Sequence, residues 1–507
     1  MGFFSPKREP PATVPTDTVT PLRFVDELYP FAFDFSLVFK DVLDPGILRD
    51  AAESVLQRDG WQQLGARLRR NQHGKLEYHL PAHYSKDRPL FLFTTENHPM
   101  SINDHPVLRN VPSANPDRPT VHNPSAATFR RCMRGPESPE AFDDWLYKDI
   151  PQLAIHIVQF EDATIITVTL LHTLTDFLGL MAFYKAWLLT LHGREDEIPP
   201  YIGYLDVDPL EGLQQGQSTP PKYVFADREV GRWGYLKFVL RHMWDCYWYP
   251  DASLRFFTLP GKFVDKLSAS ARAELAATAR HISPSSSIKE QPTSDDCFVS
   301  DSDVLCAWWT SLLVKNQSPS GAPIQPNQTV CLTNRFDSRD VLAKMGLLPS
   351  HNISFFGNAA YNASFLAPAG EFADSQSQGL GPLAKQVRES IKLHRSVEQL
   401  QAQDAAFREA KSRTGHLPLY GDANMMMCVF TNCYRGRLYQ MDFSPALRKT
   451  GEKKALPVFI NCTGMENRFS ARNATAILGK SENGDWWMSS RLKGDVWERI
   501  EEEFERM

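Results

Sequence analysis

The 507-residue sequence has no long run of basic residues, and its formal net charge is −5. Proteins that bind nucleic acid usually carry a basic face or stripe, so this charge balance argues against a general nucleic-acid binder. The first twenty residues are rich in proline and threonine and lack the apolar segment of a secretory signal peptide. We therefore expect a disordered tail over residues 1–20 and a cytoplasmic protein.

The eight cysteines include no CxxC pair, and several lie in apolar surroundings, such as Cys306, Cys428 and Cys462. Scattered thiols of this kind fit a reducing compartment better than a disulfide framework or a zinc site. The GxSxG, P-loop and GxGxxG motifs are also missing, which argues against serine hydrolases, NTPases and dinucleotide-dependent enzymes. We predict no metal site and no permanently bound cofactor.

The length exceeds that of one ordinary hydrophobic core, so two domains are expected. Composition shifts place an N-terminal domain at 21–215, a crossover segment at 216–252 and a C-terminal domain at 253–507. Residues 94–140 are rich in proline, asparagine and aspartate, which indicates a long surface excursion. Alternating helix and strand patterns predict an α/β fold without an evident repeat, and no feature predicts an oligomer, so we expect a monomer.

The crossover segment contains an aromatic stretch, Arg232 to Tyr249. It is too short and too charged to span a membrane, and no other stretch suggests a transmembrane segment. We interpret it as a helix that covers the domain junction, and the alternative is a helix that lies flat on a membrane surface.

One stretch, Thr164 to Leu191, combines a buried strand, a short polar turn and an apolar helix. The preceding segment, Pro151 to Phe160, predicts a strand that pairs with it in antiparallel fashion. His172 lies where the strand ends, and Thr175 or Asp176 is placed to cap the helix. An imidazole held between two rigid elements suits proton transfer.

His172 and Asp176 form an HxxxD motif, but the same spacing occurs at His83/Asp87 and at His192/Asp196. Those two copies lie in polar, turn-like sequence, so the strand before and the helix after are what distinguish His172. A buried histidine with Asp176 as a simple helix cap explains the local sequence as well as a catalytic pair does.

In the second half, strands are predicted at Leu438–Phe443, Val458–Cys462 and Asp485–Leu492, which we expect to complete one sheet. Several short motifs also follow one another along the chain. They are LGARL at Leu64–Leu68, the HTLTD turn, SDSDVLCAWW from Ser300, Asn334-Arg335, the FFGN segment ending at Asn358, Thr431-Asn432, and DFSPA from Asp442 to Ala446.

In this order and spacing, the chain from Phe31 onward resembles the BAHD acyltransferases, in particular their branch from fungal secondary metabolism. The resemblance implies two similar chloramphenicol-acetyltransferase-like domains with the active-site channel between them. The chain departs from the family pattern in three places: Phe177 replaces the usual glycine, DFSPA replaces DFGWG, and Asp337 replaces a second arginine, with Arg339 nearby.

The resemblance implies a role for residues in several of these segments. His172 is the general base, and Asp176 supports the catalytic loop by pairing with an arginine, for which Arg335 is the candidate. The acyl-CoA and oxyanion region is expected to contain Asn358, Thr431, Asp442, Phe443 and Ser444. A basic cluster could contact CoA phosphates or could simply be a solvated loop: Arg448, Lys449, Lys453 and Lys454.

The implied activity is O-acylation, in most cases acetylation, of a hydroxyl on a fungal secondary metabolite. Acyl-CoA would be the co-substrate, and a small-molecule alcohol or amine the acceptor, joined directly in a ternary complex. Two alternatives remain open. One is a condensation-type enzyme that takes its acyl group from a carrier protein, and the other is a catalytically silent binding relative.

Overall fold

The structure is a computed structural model, and it describes residues 8–215, 221–282, 298–317, 324–349, 353–373, 379–449, 453–464 and 469–507. Parts of the predicted tail (residues 1–7) and of the predicted crossover segment (residues 216–220) lie outside the described residues.

Strands and helices are numbered in chain order. The strands are β1 Thr18–Pro21, β2 Ala32–Phe39, β3 Arg67–Arg70, β4 Leu76–Leu80, β5 Leu92–Asn97, β6 Thr120–His122, β7 Leu153–Gln159, β8 Thr164–Leu171, β9 Tyr201–Ile202, β10 Ser253–Leu259, β11 Thr329–Asp337, β12 Ser354–Phe355, β13 Ala360–Pro368, β14 Met426–Asn432, β15 Phe459–Gly464, β16 Ala474–Lys480 and β17 Trp486–Leu492. The helices are α1 Pro45–Leu56, α2 Ala126–Met133, α3 Phe142–Tyr147, α4 Phe177–Leu191, α5 Arg232–Trp248, α6 Gly261–Ile282, α7 Asp301–Asn316, α8 Arg339–Lys344, α9 Ala369–Ala373, α10 Gly381–His394, α11 Val397–Thr414 and α12 Gly494–Arg506.

A five-stranded sheet with the order β15-β2-β8-β7-β5 forms the centre of the first half. Every residue of β2 and β8 is buried, as expected for strands that are covered on both faces, and β8 is rich in β-branched residues. The predicted antiparallel pairing of β7 with β8 is confirmed by the register of Leu153 opposite Leu170.

A seven-stranded sheet with the order β13-β11-β14-β16-β17-β10-β6 forms the second half. Helices α6, α7, α10 and α12 contribute side chains to the hydrophobic core on this sheet. The start of α7 is fixed by a capping box, in which the Ser300 side chain accepts from the Asp303 amide and Asp303 accepts from the Ser300 amide.

The two halves exchange strands. Strand β15 follows β14 in sequence but pairs with β2 of the first sheet, so the prediction that Val458–Cys462 completes the second-half sheet is wrong. Strand β6 pairs with β10 of the second sheet, and α2 buries Phe129 and Met133. The prediction of a surface excursion over residues 94–140 is therefore also wrong, since polar composition hid a short strand and a buried helix face.

Two further predictions need correction. The N-terminal tail does not extend to residue 20, because β1 pairs with β4 and Asp17 forms an ion pair with Arg88. Residues 438–443 form no strand: they contain a short 3-10 turn at Leu438–Gln440, and Leu438 and Tyr439 pack into the core. The domain boundaries at 215 and 253 stay a prediction.

The aromatic stretch forms α5, as predicted. The helix lies on segments of the second half, where Arg241 donates to the carbonyls of Asn424 and Met425. Much of its outer face is exposed. Within the described parts of the chain, no helix is both long and apolar enough to cross a bilayer.

Candidate active site

His172 lies immediately after β8, where its backbone amide donates to the carbonyl of Phe31 at 2.8 Å. A tight turn follows, in which the Leu174 amide bonds to the Leu171 carbonyl at 3.1 Å. Helix α4 then begins with Asp176 as its cap, since the carboxylate accepts from the Gly179 amide at 3.1 Å. The predicted strand–turn–helix context of the HxxxD motif is therefore present in the fold.

Three aromatic rings surround the imidazole of His172. Tyr29 stacks on it with ring centroids 4.6 Å apart, and Phe31 and Phe33 meet it edge-on at 4.9 and 5.4 Å. The last two rings come from the β2 segment, which pairs with β8 and brings them alongside the end of that strand. These rings fix the plane of the imidazole while the residue keeps partial contact with solvent.

The electrostatics around His172 favour the neutral imidazole. Burial lowers its pKa below the ordinary value of 6.5, and the positive charge of Arg335 acts in the same direction, while Asp176 opposes it. The Nδ1 atom is buried and has no hydrogen-bond partner among the described residues. A neutral ring at pH 7 can accept a proton, which is the state that a general base requires.

Asp176 is held by an arginine, as expected, but the partner is Arg339. Its guanidinium donates to both carboxylate oxygens at 2.8 and 3.0 Å, and the Ala359 amide donates to the carboxylate at 2.9 Å. Although burial acts to raise the pKa of Asp176, the charge of Arg339 holds it below the ordinary value. Asp176 is therefore an ionised structural anchor at the start of α4.

The prediction that Arg335 pairs with Asp176 is wrong. Arg335 lies inside β11, which extends to Asp337, and its guanidinium donates to the Tyr29 hydroxyl at 3.2 Å. The same guanidinium lies over the Tyr29 ring, 5.8 Å from its centroid. Arg339 begins α8 just beyond the strand and reaches Asp176, Asp337 and the Gly357 carbonyl. Arg335 thus supports the ring that stacks on His172.

Asn358 connects the FFGN segment to the base. Its side-chain amide donates to the His172 carbonyl at 2.8 Å and to the Asp26 carboxyl at 2.7 Å, and its backbone amide also donates to Asp26. Burial raises the pKa of Asp26 to about 7, against the opposing hydrogen bond from Asn358. Both amide protons of Asn358 are committed here, so the expected oxyanion contact for this residue is replaced by a positioning contact.

The segment from Asp442 to Ser444 lies away from His172, which corrects its expected place in the oxyanion region. The Asp442 carbonyl is bonded to His192 at the opposite end of α4, a helix whose 15 residues span roughly 22 Å. Phe443 packs against Phe39 and Trp187, and the Ser444 amide is already bonded to the Asp442 carboxylate. This segment is a structural corner of the fold.

The basic cluster of Arg448, Lys449, Lys453 and Lys454 also lies at that far end. Arg448 donates to the Gln159 side chain at 3.1 Å, near the first residue of β8. Lys449, Lys453 and Lys454 are exposed. The length of β8 separates this cluster from His172 by about 25 Å.

A groove of about 430 Å³ runs along α4 from Met181 to the end of the helix. It is lined by five basic side chains: Lys185, His192, Arg194, Arg435 and Arg437. Thr431 of β14 lies opposite Arg335 of β11 in the sheet, and Arg335 contacts Tyr29. Thr431 is therefore a residue of the expected acyl-donor region that lies near the Tyr29–His172 pair.

Sequence reasoning missed Tyr29, Phe31, Phe33 and Asp26. Each lies before or at the start of β2, some 140 residues from His172 in sequence. The segment carries no spacing motif, and only the pairing of β2 with β8 brings it to the site. Arg339 was noticed beside the arginine segment, yet strand and helix bounds were needed to choose it over Arg335.

Comparison with known proteins places this geometry among acyltransferases, although no family model matches the sequence. A protein of Sordaria araneosa, named transcriptional regulator sdnM, is 80% identical over 100% of both chains. Acetyltransferase adrJ of Penicillium rubens is 36% identical over 100% of this chain and 99% of its own length. The crystal structure of TRI101 from F. sporotrichioides, complexed with coenzyme A and T-2, has the same fold, with a TM-score of 0.58, 15% identity, and coverage of 96% of this chain and 98% of that one.

Proposed function

This chain belongs to the BAHD acyltransferases, and on that premise we propose that it transfers an acetyl group from acetyl-CoA to a hydroxyl of a secondary metabolite, with His172 as the base. The observation that carries the proposal is the neutral imidazole held between Tyr29, Phe31 and Phe33, on a turn anchored by the Asp176–Arg339 pair.

The proposed reaction needs one proton acceptor and no covalent acyl-enzyme. His172 takes the proton of the acceptor hydroxyl as that oxygen attacks the thioester carbonyl carbon. Since Nδ1 is buried, we assign this task to Nε2. The tetrahedral intermediate then collapses, the C–S bond breaks, and the imidazolium returns its proton to the departing CoA sulfur, which regenerates the neutral base. The products are the ester and free CoA.

Positioning accounts for much of the expected rate enhancement. When both substrates are bound together, the translational and rotational entropy of bringing them into contact has already been lost on binding. This favours direct transfer in a ternary complex. Tyr29 and Arg335 restrain the imidazole on one side, and Asn358 fixes the backbone carbonyl of His172 on the other. For the oxyanion we retain Thr431 as the candidate donor, because it neighbours Arg335 in the sheet.

Two basic clusters are available for the CoA phosphates. One is the groove along α4 with Lys185 and Arg437, and the other is the exposed set around Arg448. Guanidinium and ammonium groups bind phosphate through charge-assisted hydrogen bonds. Measurement of the KM for acetyl-CoA distinguishes the two clusters, because loss of a phosphate contact raises KM with little change in kcat. The variants are Lys185→Ala and Arg437→Ala for the groove, and Arg448→Ala for the exposed set.

We retain the two-domain division, a channel between the domains, cytoplasmic location and a monomeric enzyme as parts of the proposal. A carrier-protein donor is the competing mechanism. The acetylated pantetheine arm would then replace free acetyl-CoA, and purified enzyme would not bind acetyl-CoA in a calorimeter. Heat of binding from acetyl-CoA alone supports the free donor.

The name of the relative from Sordaria araneosa suggests a regulatory role, which is the second candidate function. A formal charge of −5 disfavours affinity for the DNA backbone. The discriminating experiment incubates the purified protein with acetyl-CoA and a panel of hydroxylated metabolites, and measures free thiol and acetylated product. A parallel gel-shift titration uses duplex DNA from the neighbouring genes. Thiol release matched by an acetyl ester supports the enzyme. Salt-sensitive DNA binding without any turnover contradicts it.

A further inference from the structure

Helix α5 presents an apolar face to solvent. Trp233, Trp244 and Trp248 are 75%, 66% and 57% exposed, although tryptophan side chains are on average well buried in folded proteins. Further exposed apolar side chains on the same helix are Leu236, Leu240, Met243 and Tyr247. Their spacing of three or four residues places them on one stripe, so the exposed face is a continuous apolar ridge.

The opposite face of α5 is firmly attached to the protein. The Tyr235 ring stacks on His416 with centroids 3.8 Å apart, and Arg241 donates to two backbone carbonyls. Cys246 is fully buried beneath the last turn. Because these contacts hold the helix in place, the apolar ridge is a rigid surface feature.

Charge is distributed unevenly around the helix. Its single acidic residue, Asp245, faces inward and forms ion pairs with Arg472 and Lys493. Arg232 and Lys237 lie on the exposed side, and Arg232 stands over the Trp233 ring at 5.7 Å. The outer face therefore combines tryptophan and leucine with cations and has no carboxylate of its own, in a protein whose overall charge is negative.

We propose that α5 docks this protein on the surface of a lipid bilayer that contains anionic headgroups, with the helix axis parallel to the membrane plane. Tryptophan and tyrosine favour the boundary between headgroups and acyl chains, and lysine and arginine contact anionic lipids. Because α5 projects its apolar ridge outward along the helix, the whole ridge can contact a planar bilayer surface at once. The helix does not span the membrane, in keeping with its length and charge.

Vesicle flotation with the full-length protein tests the proposal. Vesicles of phosphatidylcholine with 30% phosphatidylserine should carry most of the wild-type protein at low salt, and a tenfold smaller fraction of the triple variant Trp233→Ser/Trp244→Ser/Trp248→Ser. Lys237→Glu combined with Arg232→Glu should lose binding to the anionic vesicles severalfold. The matched control is Val207→Ser, which removes an apolar side chain that is 89% exposed elsewhere, and it should float like the wild type.

Three results would overturn the proposal. The wild-type protein could remain in the bottom fraction, the triple variant could float as well as the wild type, or the Val207 control could lose binding equally. Self-association through α5 is the other outcome. It would be indicated if the wild-type protein does not float, forms a dimer at micromolar concentration without lipid, and is monomeric in the triple variant. The circular dichroism spectrum and the Tm of each variant verify that folding is intact. We expect the substitutions to leave both unchanged, because the replaced side chains are exposed.

Discussion

At the residue scale, the environment of His172 combines burial, an aromatic stack and a nearby cation. Burial and the charge of Arg335 disfavour the imidazolium, while the Asp176 carboxylate, which favours it, is bonded to Arg339 and to backbone amides. This arrangement differs from that of a catalytic triad, in which a carboxylate bonds directly to the imidazole. In the proposed mechanism, the groups that surround the ring therefore set the pKa of His172.

Replacement of His172 by alanine is expected to reduce kcat by about 10²- to 10⁴-fold, the usual contribution of a positioned general base. The rate of free CoA release from acetyl-CoA in the presence of the acceptor measures kcat. His83→Ala is the matched control, since His83 also begins an HxxxD sequence but is exposed and lies outside the proposed site. Near wild-type turnover in the His172 variant removes this residue from the mechanism.

The lowered pKa of His172 predicts the pH profile. Activity should be constant from pH 7 to 8 and should fall on acidification only below pH 6.5, because protonation removes the base. Arg335→Met should shift this fall to higher pH, since the cation that disfavours imidazolium is lost. The profile of kcat/KM reports the free enzyme. An unchanged inflection in the Arg335 variant would contradict the electrostatic role.

Asp26 predicts a pH effect on stability. Its pKa is about 7 in the folded protein and near 3.8 when unfolded, so the native state binds the extra proton between these values. Stability therefore falls as pH rises from about 4 to 7. Asp26→Asn keeps an oxygen acceptor for Asn358 and removes the titration. We expect a higher Tm than wild type at pH 8, with the difference shrinking towards pH 5 in thermal melts.

At the element scale, the turn from β8 into α4 is fixed by α8 and the FFGN segment. Arg339 links the Asp176 carboxylate to Asp337 and to the carbonyl of Gly357, so one side chain joins three segments. The guanidinium also lies 5.1 Å from the Phe355 ring centroid. The turn that carries His172 and Asp176 therefore depends on the second half of the chain for its shape.

Arg339→Ala leaves a buried carboxylate without its cation, and should destabilise the protein by about 3–5 kcal/mol. Asp176→Ala should cost a similar amount and lower activity as well, and the double variant should cost less than the sum. Urea denaturation followed by circular dichroism gives these values. Arg335→Ala is the control, with a small effect on stability, and additive costs for Arg339 and Asp176 would contradict the coupling.

Elements with a strong hydrophobic pattern could be predicted from the sequence. Strand β8 and helix α4 were found within a residue, since both are apolar and bounded by polar turns. The 438–443 segment alternates like a strand, yet Arg437 adopts a left-handed φ of 48° that turns the chain first.

At the scale of the whole molecule, the two sheets share their strands. Strand β15 completes the first sheet on the free side of β2, and β6 forms the edge of the second sheet beside β10. Local patterning cannot reveal such pairing, because the partner strands lie more than a hundred residues apart in sequence and each strand alone has the pattern of its own half. The order of motifs, by contrast, identified the family and with it the fold.

Strand exchange predicts that neither half folds alone. A fragment of residues 1–230 lacks β15 and would expose the β2 edge, which favours aggregation. We expect this fragment to be insoluble or protease-sensitive, and co-expression with residues 231–507 to restore a protected complex. Limited proteolysis and size-exclusion chromatography measure both. A soluble, cooperatively melting 1–230 fragment would contradict the prediction.

The crossed strands also constrain the making of hybrids between related enzymes. A chimera joined once at the chain midpoint would receive β6 and β15 from the wrong parents, and each sheet would then carry a mismatched edge. Exchange of acceptor preference between relatives therefore requires five junctions, one at the midpoint and two around each of residues 120–122 and 459–464, so that both strands travel with the sheets that they complete.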